Sequence, residues 1–236
     1  MSELKIAARK GGATQASAVY ARLRQDVIST VIAPGEKLRV RDLCARYGVG
    51  LNPLREALNR ATTDGFVCQS DLRGFFAAPV SAQDLIELTE ARCLLAEVCL
   101  RTSIEKGDAA WEEGIVLASH RLSRVPPTAP GETDPSKFNP EWEAAHRAFH
   151  RSLIAACGSS WLLDIDSHLF DAADRYRHLS RKAAKIGSTE RPDQHPSIMQ
   201  AVLDRDTAAA TAILQSHYQR TAEHGLKQLA RMAAQA

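Results

Sequence analysis

Val40, Leu43, Cys44 and Tyr47 recur at helical spacing, Gly48 follows as a helix stop, and Leu51, Leu54, Ala57 and Leu58 restart the same period. Two short helices joined by so tight a glycine turn are the pattern of a helix-turn-helix. Pro53 fits the second helix only in its first turn, where a missing N–H breaks no intrahelical bond, so that helix starts within residues 50–52. Upstream, Val19, Leu23, Val27 and Ile28 predict a helix over residues 16–30, closed by the turn Ala33, Pro34, Gly35. Downstream, Asp64 and Gly65 stop the chain, and the apolar runs 66–68 and 75–78 flank a turn at residues 70–74. That is the signature of a β-hairpin, placed where a winged helix carries its wing.

From Ser81 onward the period is helical almost throughout. Ser81 with Asp84 three positions on resembles a capping box, with Asp in place of the usual Glu. Helices are expected over residues 82–106, 108–124, 140–157, 160–185, 194–204 and 206–233, separated by Gly107, a proline-containing loop over 125–140, Gly158 and the segment 187–196. Strand-like alternation is absent from this part, so the six helices imply an antiparallel bundle. The expected fold class is mainly α, an N-terminal winged helix-turn-helix followed by an all-α bundle. The expected division is a flexible arm over residues 1–14, a winged domain over 15–80 and a helical domain over 81–236.

Composition agrees with a water-soluble globular chain, at 44% hydrophobic and 25% charged residues. No apolar run reaches membrane-spanning length and the first residues lack the apolar core of a secretory signal, so the cytoplasm is the expected compartment and a membrane is not an expected partner. The five cysteines are scattered and odd in number, and most sit in apolar periodic segments, as small reduced core residues do. The net charge of +2 conceals an asymmetry. Residues 1–80 hold 12 Lys and Arg against 7 Asp and Glu, a balance of +5, and the remainder holds 18 against 21, a balance of −3.

A basic N-terminal third that coincides with a helix-turn-helix points to nucleic acid, because phosphate attraction dominates non-specific DNA affinity. The candidate contacts are Arg41 at the start of the first helix of the motif, Asn52 and Arg55 at the start of the second, and Arg73 with Gly74 in the wing turn. Arginine can fork onto guanine and asparagine onto adenine, and a glycine lets backbone approach the duplex closely. The competing reading of each is a solvated basic surface.

The second chemical signal is histidine. His146 and His150 lie four apart on one expected helix, so their rings leave the same face one turn apart, a spacing that suits one metal ion. Two ligands do not make a site, and surface or hydrogen-bonded histidines are the plainer reading. A hydrolytic zinc site needs a base beside its ligands, whereas Arg147, Ala148 and Phe149 separate these two. A metal-dependent hydrolase fused to a DNA-binding module is therefore the weaker alternative, and no catalytic residue is expected.

The stretches APGEKL (33–38), YGVGLNPLREAL (47–58), DGFV (64–67) and AFH (148–150), followed by a late pair of histidines, resemble the GntR-type transcription regulators of the FadR-like branch, whose C-terminal part is an FCD ligand-binding domain. The resemblance covers about residues 15–230. It implies a metabolite-responsive regulator, most often a repressor, that binds a palindromic operator as a homodimer. It adds His195 and His217 to His146 and His150 as metal ligands, with zinc as the default and nickel, copper or iron as chemical alternatives. It places Arg92 where an effector carboxylate is reached, with Tyr176 and Arg177 as further polar contacts. Residues 155–177 are similar to members that sense short dicarboxylates or hydroxy acids. A metal of purely structural purpose is the remaining alternative. The chain departs from the family pattern twice: Gly50, Leu51 and Asn52 stand where Ser-Arg-Thr is common, and His146 stands where an aspartate is common.

Overall fold

The computed structural model describes residues 14–70, 73–134, 137–183 and 193–234. The arm expected over the first 14 residues lies outside these apart from Thr14. The chain divides into two compact units, Met1–Pro79 and Val80–Ala236.

In the first unit, α1 (Gln15–Ile28) is opened by Thr14, whose Oγ1 accepts from the Ser17 N–H. It stops two residues short of the expected end because Ser29 closes the last turn and Thr30 adopts a left-handed φ of 54°. Helix α2 (Val40–Tyr47) ends at Gly48, whose φ of 67° is the left-handed conformation that terminates helices most cheaply in glycine. Helix α3 (Leu51–Thr63) follows directly, with Gly50 as its N-cap and Pro53 in its first turn. Strands β2 (Val67–Ser70) and β3 (Gly74–Ala77) form the expected hairpin, with Cys68 opposite Phe76 and Gln69 opposite Phe75. A strand that periodicity did not indicate, β1 (Lys37–Leu38), pairs with the other side of β3, so the sheet order is β1-β3-β2. Leu23, Val27, Ile32, Leu54, Leu58 and Val67 fill the space beneath and are almost wholly removed from water. Tyr47 donates its hydroxyl to Asp26 at 2.9 Å, and Arg46 approaches the same carboxylate at 3.2 Å, which ties α2 to α1.

The second unit contains α4 (Ala82–Lys106), α5 (Ala109–Arg124), α6 (Pro140–Leu153), α7 (Ser160–Ala183), α8 (His195–Leu203) and α9 (Thr207–Ala233). Their starts are chemically marked: Ser81, Asp108, Asn139 and Asp206 each accept a backbone N–H of the first turn. The helix expected over 140–157 is two elements, because the chain leaves α geometry at Ile154 and tightens to a 3-10 turn (Ala155–Cys157) that Gly158 closes with a φ of 77°. The end expected for α7 at residue 185 falls outside the described residues. Helix α4 packs on α9 and α7, and α5 on α6 and α8. Leu100, Ile115, Phe149, Leu153, Ile198 and Leu214 form the centre of the bundle. Close approach of α4 and α9 depends on Gly225, where an added Cβ would lie 2.7 Å from Leu85 Cδ2.

Candidate functional site

Arg41 lies in the first turn of α2, Asn52 and Arg55 near the start of α3, and Arg73 and Gly74 in the wing turn, and all five are exposed. Among the described residues no acidic side chain pairs with Arg41, Arg55 or Arg73, so their charge is available to an anionic partner. The Arg73 N–H donates to the Ser70 carbonyl at 3.1 Å, and Gly74 follows with a φ of 87°, a conformation that side chains strain. Leu51 is exposed at the head of α3 and offers no donor there.

In the helical unit the fold brings together all four candidate metal ligands. His146 and His150 project from α6, His195 begins α8 and His217 comes from α9. One ring nitrogen or another of each lies within 4.8 Å of all the others, and the Nε2 atoms of His146 and His150 are 3.2 Å apart. Nitrogens held tetrahedrally at zinc bond lengths are about 3.4 Å apart, so a contraction of about 1.5 Å or less would close the set. Burial, reinforced by the other imidazoles and by Arg177, pushes His146 and His150 well below the ordinary histidine value. Burial and then His195 and Arg92 bring His217 down to about 3, and burial lowers His195 against the opposing pull of Asp193. Neutral imidazole is the form that ligates a metal.

Hydrogen bonding points the same way. His195 Nδ1 lies 2.5 Å from an Asp193 carboxylate oxygen, which assigns the proton to Nδ1 and leaves Nε2 a bare lone pair. That Nε2 is buried without a hydrogen-bond partner, as are Nδ1 of His146 and Nδ1 of His150. A hydrogen bond between Nε2 of His146 and Nε2 of His150 leaves Nδ1 of both rings and Nε2 of His195 without a partner, whereas a shared cation accepts one lone pair from each of the four rings. The residues present therefore fit a divalent transition metal.

The surroundings are aromatic and cationic. Trp142 stacks on His146 with centroids 4.7 Å apart, and Phe170 lies 5.7 Å from His146 and 5.6 Å from His150. The Arg92 guanidinium sits over the Tyr218 ring at 3.8 Å. Arg177, only 14% exposed, reaches Asp174 at 3.0 Å and Glu143 at 3.5 Å and lies over the Phe138 and Trp142 rings. Its Nε and Nη1 are buried and have no acceptor. A cavity of about 550 Å³ bordered by Leu122, Pro126, Trp142, His195, His217 and Arg220 leads to the cluster.

Tyr176 is not brought to the histidines in the same sense. Its hydroxyl donates to Asp84 and receives the Ser81 N–H at 3.2 Å, and its ring packs with Leu85, Leu88 and Ala222. It is committed to the start of α4. Asp193, Trp142 and Tyr218 were not singled out for the site from sequence. Asp193 stands two residues before His195, close enough for a local hydrogen bond, and that spacing is the signal that could have revealed it. Of the other histidines, His178 is buried beside Glu143 at 2.6 Å, and His120 and His168 are exposed.

Residues 15–76 match the family described as bacterial regulatory proteins, gntR family, and residues 87–220 match the FCD domain. The HTH-type transcriptional repressor GlaR of Escherichia coli K12 is 35% identical over 201 residues, covering 84% of this chain and 90% of its own. The HTH-type transcriptional regulator BphR of Paraburkholderia xenovorans LB400 is 34% identical over 85% of this chain and 80% of its own. In fold the chain is similar to McbR/YncC of E. coli, at a TM-score of 0.73 and 16% identity over 92% of this chain and 100% of that one. With a winged helix-turn-helix in front and an FCD bundle behind, this chain belongs to the GntR family and is a DNA-binding transcription regulator, not an enzyme.

Proposed function

We propose that the protein is a cytoplasmic, metabolite-responsive repressor that binds a palindromic operator as a homodimer. Its helical unit holds one divalent metal, zinc by default, on His146, His150, His195 and His217, and a small carboxylate effector beside it. The observation that carries this reading is the cluster of four imidazoles, two buried and two half-buried, beside a cavity large enough for a small acid. Repression as the sign of regulation is supported by the likeness to GlaR, a protein named as a repressor.

A bound divalent ion supplies an electrophilic centre to which a carboxylate oxygen can coordinate. The four histidines fix its position, and Asp193 orients His195 by holding its Nδ1 proton. Arg92, whose charge is felt at His150 and His217, and Arg177, whose charge is felt at His146, are the planar cations offered to carboxylate oxygens. Tyr176, with its hydroxyl already bonded, has no such part. On the DNA side, Arg55 and Asn52 read base edges, and Arg41, Arg73 and the Gly74 backbone hold phosphates. Effector binding changes DNA affinity only if the effector binds two arrangements of the protein unequally. Helix α4 suits that role, since it carries Arg92 and is the first helix after the winged unit.

Metal analysis of the purified protein beside His150→Ala and His217→Ala tests the site, with thermal stability recorded against added dicarboxylates. Metal in the wild type alone, with a carboxylate-dependent rise in melting temperature, is the expected result. Equal metal content in all three proteins would remove the site. Metal loading with no response to any acid would leave a structural metal.

A further inference from the structure

We infer that Leu51 is a base-reading residue and that each half of the operator sets a thymine methyl group against it. The inference rests on the reading above in which the start of α3 meets base edges, and it goes beyond that reading in naming an apolar element of recognition and the base it selects.

Helix α3 divides by burial into two faces. Leu54, Ala57, Leu58 and Ala61 are buried in the core of the winged unit. Leu51, Asn52, Arg55, Glu56 and Asn59 are exposed on the other side. Four of those five side chains are polar, and Leu51, at 46% exposed, is the exception. It is not among the residues that form the core of the unit or pack against it, although Val49, two positions earlier, is. Nor does it serve the helix start, since Gly50 is the N-cap and the cap has no side-chain hydrogen bond. A lone exposed leucine is ordinary on a protein surface at large. This one stands one turn before Arg55 on the same edge of the helix, at the end of a recognition helix that touches base edges.

Leucine has no donor or acceptor, so among the groups displayed in the major groove it matches one, the C5 methyl of thymine. The remaining groups are amino donors and nitrogen or oxygen acceptors, and an apolar side chain laid on them strips their water without replacing its hydrogen bonds. The position therefore discriminates twice, by methyl surface buried against thymine and by hydration lost at cytosine. Asn52 and Arg55 supply the hydrogen-bonding part of the readout on either side of it. One helical turn rises about 5.4 Å and successive base pairs are about 3.4 Å apart, so the thymine should fall no more than about two base pairs from the one that Arg55 reads.

The test starts from duplexes that the full-length protein selects out of a randomised pool. Affinity is then measured by fluorescence anisotropy at fixed salt as each thymine in turn is replaced by deoxyuridine, which lacks only the methyl. One symmetric pair of positions should lose about threefold to fivefold per half-site, the size expected for one buried methyl. Leu51→Ala, which removes nothing from the core, should bind the thymine and deoxyuridine duplexes alike at that pair. At the same positions 5-methylcytosine should bind better than cytosine to the wild type and no better to the variant. Arg55→Ala should weaken binding and keep the preference for the methyl. Affinity indifferent to every thymine methyl, or methyl effects that all persist unchanged in Leu51→Ala, would overturn the inference, and weakened binding by Arg55→Ala would then leave α3 standing as the reading helix. A pool that yields no preferred sequence would overturn both.

Discussion

Arg55 stands exposed near the start of α3 with no acidic partner among the described residues, as a base-reading side chain must. Replacing it by alanine is expected to remove about 1–3 kcal/mol of specific operator affinity and to leave fold intact. A gel-shift titration at fixed salt reads this directly, and an unchanged midpoint would refute the role. The histidines give a second expectation. In the metal-free protein His146, His150 and His217 stay neutral below the ordinary value near 6.5, so as pH falls the unfolded chain takes up their protons first. Their contribution is fully present above about pH 6.5 and is lost on acidification, for His217 over a window that ends at about 3. Urea midpoints of chelator-stripped protein at decreasing pH should fall more steeply than those of His217→Ala, and parallel curves would contradict the assignment. Of the four candidate ligands, His146 and His150 were legible as a pair because one helix sets their spacing. His195 and His217 lie on other helices, and no local pattern ties them to the pair; the resemblance to FCD domains supplied them. Asp193 escaped because an acid two residues before a histidine is an ordinary loop residue until the fold turns the ring inward.

Helix α4 is anchored at its start by Tyr176 of α7, whose buried hydroxyl bonds Asp84 and Ser81. Tyr176→Phe keeps the ring and removes that bond, and a hydrogen bond to a charged group contributes about 1.5–3 kcal/mol. A denaturant midpoint lowered by that order, with the response to carboxylates retained, is the expected outcome. Loss of the carboxylate response at unchanged stability would return Tyr176 to the effector site. At this scale the sequence was informative where period and punctuation coincide: Ser81 opens α4, and its side chain accepts a first-turn N–H. It was uninformative for β1, because a strand of two residues has no period. The break at Ile154 was hidden for a different reason. The apolar residues Phe149, Leu153, Ile154 and Cys157 keep facing the core through the change from α to 3-10 geometry, so their spacing does not register it.

The two units have separate cores, one built on Leu23, Leu54 and Leu58 and the other on Leu100, Phe149 and Leu214. The mainly α fold class was legible because each core rests on long runs of a single period. How one unit responds to the other is not written in any local pattern, since it depends on two arrangements of the same chain. A helix-turn-helix reads few bases alone, and two-fold symmetry that matches a palindrome supplies the rest. Light scattering at micromolar concentration is expected to give the mass of two chains, and a strictly monomeric mass with and without DNA would contradict the homodimer. The central claim is that carboxylate binding at the histidine cluster is felt at the operator. It is tested most directly by titrating zinc-loaded protein, bound to operator at fixed salt, with a dicarboxylate and following DNA release by fluorescence anisotropy, beside His150→Ala. The account predicts acid-dependent release for the wild type and none for the variant, and operator binding by the wild type that no dicarboxylate alters would contradict it.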